Sequence, residues 1–357
     1  MLFAPANLGP LTLQNRFVMA PLTRSRAVEA NTANALMAAY YAQRATAGLI
    51  VTEGTAPSPN GLGYARIPGL FRERDVAGWK LTTDAVHAKG AKIFVQLMHT
   101  GRVSHVDNLP TGAEVVGATA KVAPGEMWTD AKQNQPFSAP RPLTEADITS
   151  TIAEIVKSSE LAVRAGFDGV ELHGANGYLI EQFLNANVND RTDGYGGSAE
   201  NRNRFALETT AAVVKAIGKE KVGIRLSPYG VFNGTGAFEG VDAQYEALVT
   251  ALGKLGIAYL HLVDHSAMGA PKLPEGLNDK LKQAFGGTVI LSGGYDKARA
   301  EADLAAKKGD LVAFGRPFLA NPDLVARLAQ DKALNQPDDK TFYTPGPVGY
   351  TDYPTAT

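Results

Sequence analysis

The sequence contains no cysteine among its 357 residues. This absence excludes disulfide bonds, iron–sulfur clusters, thiolate metal sites and a cysteine nucleophile. The six histidines are scattered and form no HExxH or similar metal-ligand motif, so no metal site is predicted. A chain without disulfides is compatible with a reducing compartment, and we expect a cytoplasmic location.

The sequence also has almost no net charge and no long apolar run. Lys plus Arg is 35 and Asp plus Glu is 36, which gives a net charge of −1 and no electrostatic reason to bind nucleic acid or anionic membranes. No stretch approaches the roughly 18 apolar residues of a membrane span, and the first residues do not resemble a signal peptide. The expected partner is therefore a small molecule, and the oligomeric state stays open.

A repeating pattern runs through most of the chain: a short aliphatic stretch, then polar or glycine-rich residues, then an amphipathic stretch with helical spacing. The candidate strands lie at 17–20, 49–52, 92–97, 168–172, 222–226, 259–263, 288–291 and 311–314. The candidate helices lie at 34–46, 74–89, 145–165, 199–217, 243–255, 279–285, 296–307 and 322–330. Strands that alternate with helices predict a parallel sheet, and eight repeats favour a closed (β/α)₈ TIM barrel over an open sheet.

The chain is longer than a barrel requires. A TIM barrel typically takes about 250 residues, so roughly a hundred remain. They fall in an N-terminal β-hairpin at 1–16, an excursion at 99–142 after the third strand, and a C-terminal tail at 331–357. Loops as long as this excursion are usually lids or binding loops. No linker divides the chain, so a single TIM-barrel domain is predicted over residues 1–357.

Glycines cluster after the seventh and eighth candidate strands, where TIM barrels commonly bind phosphate. Ser292, Gly293, Gly294 and Gly315 would let the backbone approach a phosphate group, and Arg316 could pair with it. The alternative is that these glycines only make tight turns. The two segments together with the arginine favour a phosphate site.

Two polar side chains stand inside candidate strands. Arg225 must be paired if it faces inward, because a lone buried charge is costly. Gln96 presents the same question with a weaker signal. Either residue could instead lie at a strand end and reach solvent. A planar ligand with several polar atoms along one edge would satisfy both side chains.

The reactive group is predicted directly after the fourth strand. His173 and Asn176 can both donate to one carbonyl or nitro oxygen and stabilise developing negative charge. Tyr178, with an ordinary pKa near 10, is a suitable acid towards a strongly basic carbanion-like centre. The alternative is a core histidine with a structural tyrosine. The position at the C-terminal end of a barrel strand favours a catalytic role.

These segments together resemble the Old Yellow Enzyme family, nearly from end to end. The likeness rests on an ordered set of motifs: NRF at 15–17, APLTR at 20–24, YYAQRA at 40–45, GLIVTE at 48–53, QLMHTGR at 96–102, HGANGYL at 173–179, NVNDRTD at 187–193, YGGS at 195–198, FGRPF at 314–318 and GYTDYP at 349–354. Thr23 places the chain closer to the branch with threonine at that position, similar to N-ethylmaleimide reductases, than to the branch with cysteine.

The resemblance implies FMN bound non-covalently in the mouth of the barrel. Thr23 would hydrogen-bond the flavin C4 oxygen, while Gln96 and Arg225 would face the pyrimidine edge. The remaining implied contacts come from loops, with Pro21, Leu22 and Gly54 at the ring system and Gly294, Gly315 and Arg316 at the phosphate.

The resemblance also implies a reaction. NADPH or NADH would reduce the flavin, and hydride would pass from N5 to the β-carbon of an α,β-unsaturated aldehyde, ketone, imide or nitroalkene. His173 and Asn176 would hold the activating group, and Tyr178 would protonate the α-carbon. Met98, where some members carry a large aromatic residue, predicts a roomier pocket. Tyr343 would cover the pocket as a lid residue.

Three other functions are consistent with parts of the sequence. Larger dienoyl-type reductases carry an iron–sulfur cluster and a second nucleotide-binding domain. The absence of cysteine argues against the cluster, and the length of 357 residues argues against the second domain. A cofactor-free TIM-barrel lyase or isomerase could bind a phosphorylated substrate with the same glycines, but it would need a lysine or paired carboxylates at the strand ends. A protein that binds flavin without turnover is the third, and Tyr178 argues against it only modestly.

Overall fold

The computed structural model describes residues 1–356 and contains fourteen β-strands within them. In chain order they are β1 (Ala6–Leu8), β2 (Leu11–Leu13), β3 (Phe17–Met19), β4 (Leu49–Val51), β5 (Lys92–Leu97), β6 (Val116–Gly117), β7 (Glu126–Thr129), β8 (Gln133–Pro136), β9 (Arg141–Pro142), β10 (Gly169–Gly174), β11 (Val222–Leu226), β12 (Tyr259–Val263), β13 (Val289–Ser292) and β14 (Leu311–Phe314). β1 and β2 pair as an antiparallel hairpin. β3, β4, β5 and β10 to β14 close into a parallel barrel. The predicted TIM barrel with an N-terminal hairpin is confirmed.

Helices follow every strand of the barrel. They are α1 (Ala35–Gln43), α2 (Glu73–His87), α3 (Glu145–Arg164), α4 (Leu179–Leu184), α5 (Ala199–Ile217), α6 (Val241–Leu255), α7 (Leu277–Phe285), α8 (Lys297–Ala305), α9 (Arg316–Ala320) and α10 (Leu324–Ala329). α3 begins at a capping box: Asp147 N–H donates to Thr144 Oγ1 at 3.1 Å, and Thr144 N–H donates to the Asp147 carboxylate at 2.9 Å.

The structure differs from the sequence-based boundaries in two places that matter for the site. β10 extends to Gly174, so His173 lies in the strand rather than in the turn after it. α4 and α9 were not predicted, because helices of six and five residues are too short to show a helical period. The turn that carries Asn176 is consequently short and lies between a strand and a helix.

The excursion at 99–142 has structure of its own. β7 and β8 form a hairpin, and β6 pairs with β9. Its buried side chains Val103 and Met127 belong to a small apolar cluster that also contains Met98 and Tyr178. The excursion therefore packs beside the mouth of the barrel. It was predicted as a loop, but it contains four short strands.

Most residues of the barrel strands are buried and aliphatic, as expected where both faces of a parallel sheet are covered. Besides the hydroxyl group of Ser292, five buried polar side chains depart from this pattern: Gln96, Glu171, His173, Arg225 and His261. They lie on the neighbouring strands β5, β10, β11 and β12, in which Gln96 stands opposite Glu171 and His173 opposite Arg225. One side of the barrel interior is therefore polar.

Within residues 1–356, none of the helices combines the length and the apolar character needed to cross a membrane.

Candidate active site

A cavity of about 690 Å³ opens at the C-terminal ends of the barrel strands. Every residue that the sequence nominated for cofactor or substrate contact lines it: Pro21, Leu22, Thr23, Gly54, Gln96, Met98, His173, Asn176, Tyr178, Arg225, Ser292, Gly293, Gly294, Gly315, Arg316 and Tyr343. The structure thus brings together residues from seven of the eight strand ends and from the tail. Their individual roles stay predictions.

The turn after β10 is held by side chains from other elements. Asn176 N–H donates to Ser227 Oγ at 3.1 Å, and Asn176 O accepts from Asn233 Nδ2 at 2.7 Å. Gly177 N–H donates to the buried Glu181 carboxyl group at 2.6 Å. Asn176 and Gly177 both have left-handed backbones, with φ of 61° and 76°. The hydrogen bonds stabilise this unusual turn and fix where the flanking side chains point.

His173 is set up as a neutral hydrogen-bond donor. Its Nδ1 accepts the backbone N–H of Ala175 at 3.3 Å, and a backbone N–H can only donate. The proton of the neutral ring is therefore on Nε2. Burial, together with the positive charge of Arg225, holds the pKa of His173 well below its usual value. The ring can accordingly donate from Nε2 to a ligand oxygen across the neutral pH range.

Tyr178 stays protonated in this environment. Burial raises its pKa to about 12, although the hydrogen bond with Tyr64 acts in the opposite sense. The two hydroxyl oxygens are 2.9 Å apart, and the Tyr178 ring contacts His173 edge-on at 4.9 Å between centroids. An acid this weak can protonate only a strongly basic centre, such as the α-carbon of a reduced alkene.

Arg225 and Gln96 form the inner polar wall. The Arg225 side chain is only 7% exposed, and in the described chain its hydrogen bonding is limited to a long contact from Nη2 to Ser292 Oγ at 3.4 Å. Its Nε finds no partner within residues 1–356. Buried polar atoms normally have partners, so these donors indicate that a ligand completes the site.

The opposite end of the cavity is built mainly from backbone. Gly293 has φ of 121°, and a Cβ there would lie 2.0 Å from the Asp264 carbonyl oxygen. Gly294 has φ of 63°. The protein's own packing thus requires the first glycine, whatever binds beside it. Arg316 follows Gly315 directly and is exposed at the rim. Glycine-rich backbone with an adjacent arginine suits a phosphate group.

Sequence reasoning missed several residues of the cavity wall. Tyr64 lies in the segment after β4, and His265 follows β12 closely. Both are chemically informative residues near the C-terminal end of a barrel strand, so the rule that selected His173 could have selected them. Phe232 packs edge-on against His265 at 4.5 Å and also lines the cavity. Tyr343, the expected lid residue, is 59% exposed at the rim.

The arrangement fits a planar cofactor that carries a phosphate. Gln96 and Arg225 offer polar atoms at one end, apolar side chains such as Leu22 and Met98 line the middle, and the glycine turns with Arg316 lie at the other end. Gly54 leaves room for Met98, because a Cβ at Gly54 would lie 2.4 Å from the Met98 Sδ. FMN has this succession of polar edge, ring system and phosphate.

Comparisons with known proteins agree with this geometry. Residues 1–335 match the model of the NADH:flavin oxidoreductase / NADH oxidase family. The chain is 44% identical over 363 residues to 12-oxophytodienoate reductase 1 of Oryza sativa subsp. japonica, covering 99% of this chain and 92% of that protein. The solved structure of morphinone reductase in complex with tetrahydroNAD is similar, with a TM-score of 0.94 and 44% identity over 100% of this chain and 98% of that chain.

A second solved structure, the Old Yellow Enzyme homologue from Zymomonas mobilis, superposes with a TM-score of 0.95 and 37% identity, covering 99% of both chains. The predicted family and cofactors are thereby confirmed. The chain belongs to the NADH:flavin oxidoreductase / NADH oxidase family, that of Old Yellow Enzyme, and is an oxidoreductase that uses FMN and NAD(P)H.

Proposed function

We propose that the protein reduces activated carbon–carbon double bonds at this cavity, with His173, Asn176 and Tyr178 acting on the substrate. The observation that carries the proposal is the pairing of a neutral donor, His173 near the end of β10, with a protonated Tyr178 at the start of α4. The relatives named for the reduction of 12-oxophytodienoate and morphinone support the reaction class.

His173 and Asn176 hold the electron-withdrawing group of the substrate. Nε2 of His173 donates to its oxygen, and Nδ2 of the Asn176 amide, which lines the same cavity, donates a second hydrogen bond. Fixed donors aimed at an oxygen that gains negative charge stabilise the transition state more than the ground state. The substrates are therefore α,β-unsaturated aldehydes, ketones, imides and nitroalkenes.

Tyr178 delivers the proton to the α-carbon. Its raised pKa keeps the proton in place until a strongly basic carbon forms beside it. Tyr64, at 2.9 Å, orients the hydroxyl group. His173 at the end of β10, Asn176 in the turn and Tyr178 at the start of α4 lie close together in the chain, so a single bound orientation places the activating oxygen and the α-carbon at their partners.

FMN, when bound, supplies the redox chemistry by taking a hydride from NAD(P)H and passing it from N5 to the β-carbon of the alkene. Gln96 and Arg225 would hold its polar edge, and Thr23, Pro21, Leu22 and Gly54 would contact its ring system. The segments 292–294 and 315–316 would hold its phosphate. The residues of this chain thus bind and orient, while Tyr178 alone moves a proton.

The rival function, a cofactor-free lyase or isomerase for a phosphorylated substrate, lacks its chemical groups here. Among the described residues that line the cavity there is no lysine and no carboxylate. Such an enzyme would need a lysine or paired carboxylates at the strand ends. The cavity's glycines alone do not supply either.

The test is to purify the protein, identify the cofactor released by heat, and follow the flavin absorbance without oxygen. We expect NADPH or NADH to bleach FMN, and 2-cyclohexenone to restore the colour with formation of cyclohexanone. Reduction by NAD(P)H without recolouring by any activated alkene would contradict the proposed function.

A further inference from the structure

Beneath the cofactor wall, a buried carboxylate lies in the interior of the barrel. Glu171, on β10, is fully buried and accepts three hydrogen bonds. The donors are Gln96 Nε2 at 2.8 Å, Tyr259 OH at 3.0 Å and His261 Nδ1 at 2.8 Å. The mechanism above uses neither Glu171 nor His261. Since parallel-barrel cores are usually aliphatic, this group needs an explanation.

The network depends on the register of the barrel. Glu171 stands opposite Gly223 on β11, and Gly223 stands opposite Tyr259 on β12. A Cβ at Gly223 would lie 2.3 Å from the Tyr259 ring. The glycine therefore leaves the space through which Tyr259 reaches across a whole strand to Glu171.

Glu171 carries a negative charge. Burial alone would raise its pKa, but the neighbouring charges of His261 and Arg225 and the hydrogen bonds outweigh it, so that the pKa lies below its usual value. Burial lowers the pKa of His261, while the negative charge of Glu171 acts in the opposite sense. Arg225 is a permanently charged neighbour: its positive charge interacts with the negative charge of Glu171, although the two side chains form no hydrogen bond or salt bridge.

Glu171 also determines how Gln96 faces the cavity. An ionised carboxylate can only accept, so Gln96 must donate to it through Nε2. Its Oε1 is then left as an acceptor for a donor on a ligand. The wall thus offers an acceptor from Gln96 beside donors from Arg225, which is the pattern that a flavin pyrimidine edge requires.

We propose that Glu171 is a positioning residue that lowers the reduction potential of the bound flavin, by opposing the positive charge of Arg225 and by orienting the Gln96 amide. Reduction places negative charge at the pyrimidine edge, and Arg225 favours that charge while Glu171 disfavours it. A lower potential makes the reduced cofactor a stronger hydride donor towards alkenes. The inference rests on the proposed placement of Arg225 at the flavin.

The test is the midpoint potential of the holoenzyme, measured by anaerobic equilibration with a reference dye. Glu171→Gln removes the charge with little change of shape. We expect the ratio of affinities for reduced and oxidised FMN to rise on the order of tenfold, which corresponds to a potential about 30 mV higher for a two-electron couple. Tyr259→Phe, the matched control, removes one donor but keeps the charge, and should shift the ratio by less than about threefold.

If Glu171→Gln does not fold or bind FMN, the double variant Glu171→Met with His261→Leu replaces both polar partners, an exchange that buried pairs often tolerate. The same rise in potential is expected. An unchanged or lower potential in a folded, FMN-loaded variant overturns the inference. Arg225→Met distinguishes a failure of this inference from a failure of the proposed function on which it rests. This variant should lower the potential of the bound flavin. An unchanged potential in Arg225→Met would contradict the placement of Arg225 at the flavin.

Discussion

The two ends of the cavity are built in different ways. At the end next to β10, chemistry depends on side chains, and the turn that carries Asn176 and Gly177 is held by Ser227, Glu181 and Asn233. At the end next to β13 and β14, the cavity wall consists mainly of backbone, with glycines at 293, 294 and 315 beside an exposed Arg316.

The difference follows from what each end has to do. Proton transfer and stabilisation of developing charge need particular side-chain atoms within a fraction of an ångström, so their support must be rigid. A phosphate is bound by backbone N–H groups and a neighbouring cation, for which close approach matters more than a fixed rotamer. Substitutions at the first end should therefore change rates, and substitutions at the second should change affinity for FMN.

The largest expected effect is at Tyr178. Tyr178→Phe removes the proton donor, and we expect oxidation of the reduced enzyme by 2-cyclohexenone to slow about 10²–10⁴-fold. Reduction by NADPH needs no such proton and should change little. Stopped-flow measurement of both half-reactions checks this. Tyr64→Phe is the matched control, because it removes only the 2.9 Å partner of Tyr178. Equal slowing of both half-reactions in Tyr178→Phe would count against the assigned role.

At the phosphate end, a substitution should change the affinity for FMN and leave the rate of hydride transfer unchanged. Arg316→Ala removes one charge-assisted contact, and the dissociation constant of FMN should rise roughly 10- to 100-fold. The rate of hydride transfer in the fully loaded variant should stay near that of the wild type. Fluorescence titration of the apoprotein with FMN measures the first quantity. Riboflavin, which lacks the phosphate, is the control ligand and should bind both proteins alike.

Met98 should determine which substrates fit beside the reactive residues. Met98→Phe places a rigid ring beside Gly54 and Tyr178, and we expect kcat/KM for bulky cyclic enones to fall about tenfold. A small alkene such as acrolein should be affected less than about twofold. Competition between the two substrates in one reaction gives the ratio directly. An unchanged ratio would show that Met98 does not limit the size of the substrate.

An effect on stability rather than on rate or affinity is expected at Glu181, the carboxyl group that accepts the Gly177 N–H. Burial raises its pKa from 4.5 to about 8. Because the folded state then holds this proton more tightly than the unfolded state, the free energy of unfolding falls as pH rises from about 4.5 to 8. Glu181→Gln resembles the neutral form and lacks this loss. Thermal unfolding of both proteins at several pH values should show that the stability of the variant increases relative to that of the wild type as the pH rises to about 8.

The sequence indicated the barrel and most of the cavity wall because both follow from local patterns. β5, β11, β12 and β14 have the bounds that their aliphatic runs predict. The contacts of Glu171 could not be predicted, since they depend on which strands are neighbours and on the register that places Gly223 between Glu171 and Tyr259. The Tyr64–Tyr178 hydrogen bond could not be predicted either, because the two residues are 114 positions apart in the sequence.

The central claim is that the end next to β10 acts through a neutral His173 and a protonated Tyr178. The most direct test is the rate at which 2-cyclohexenone oxidises the reduced enzyme in a single turnover, followed from about pH 5.5 to about pH 7.5, where an ordinary histidine titrates. We predict a rate without an inflection in this range, because burial and Arg225 keep His173 uncharged. An inflection near pH 6.5 that disappears in His173→Asn would contradict the account.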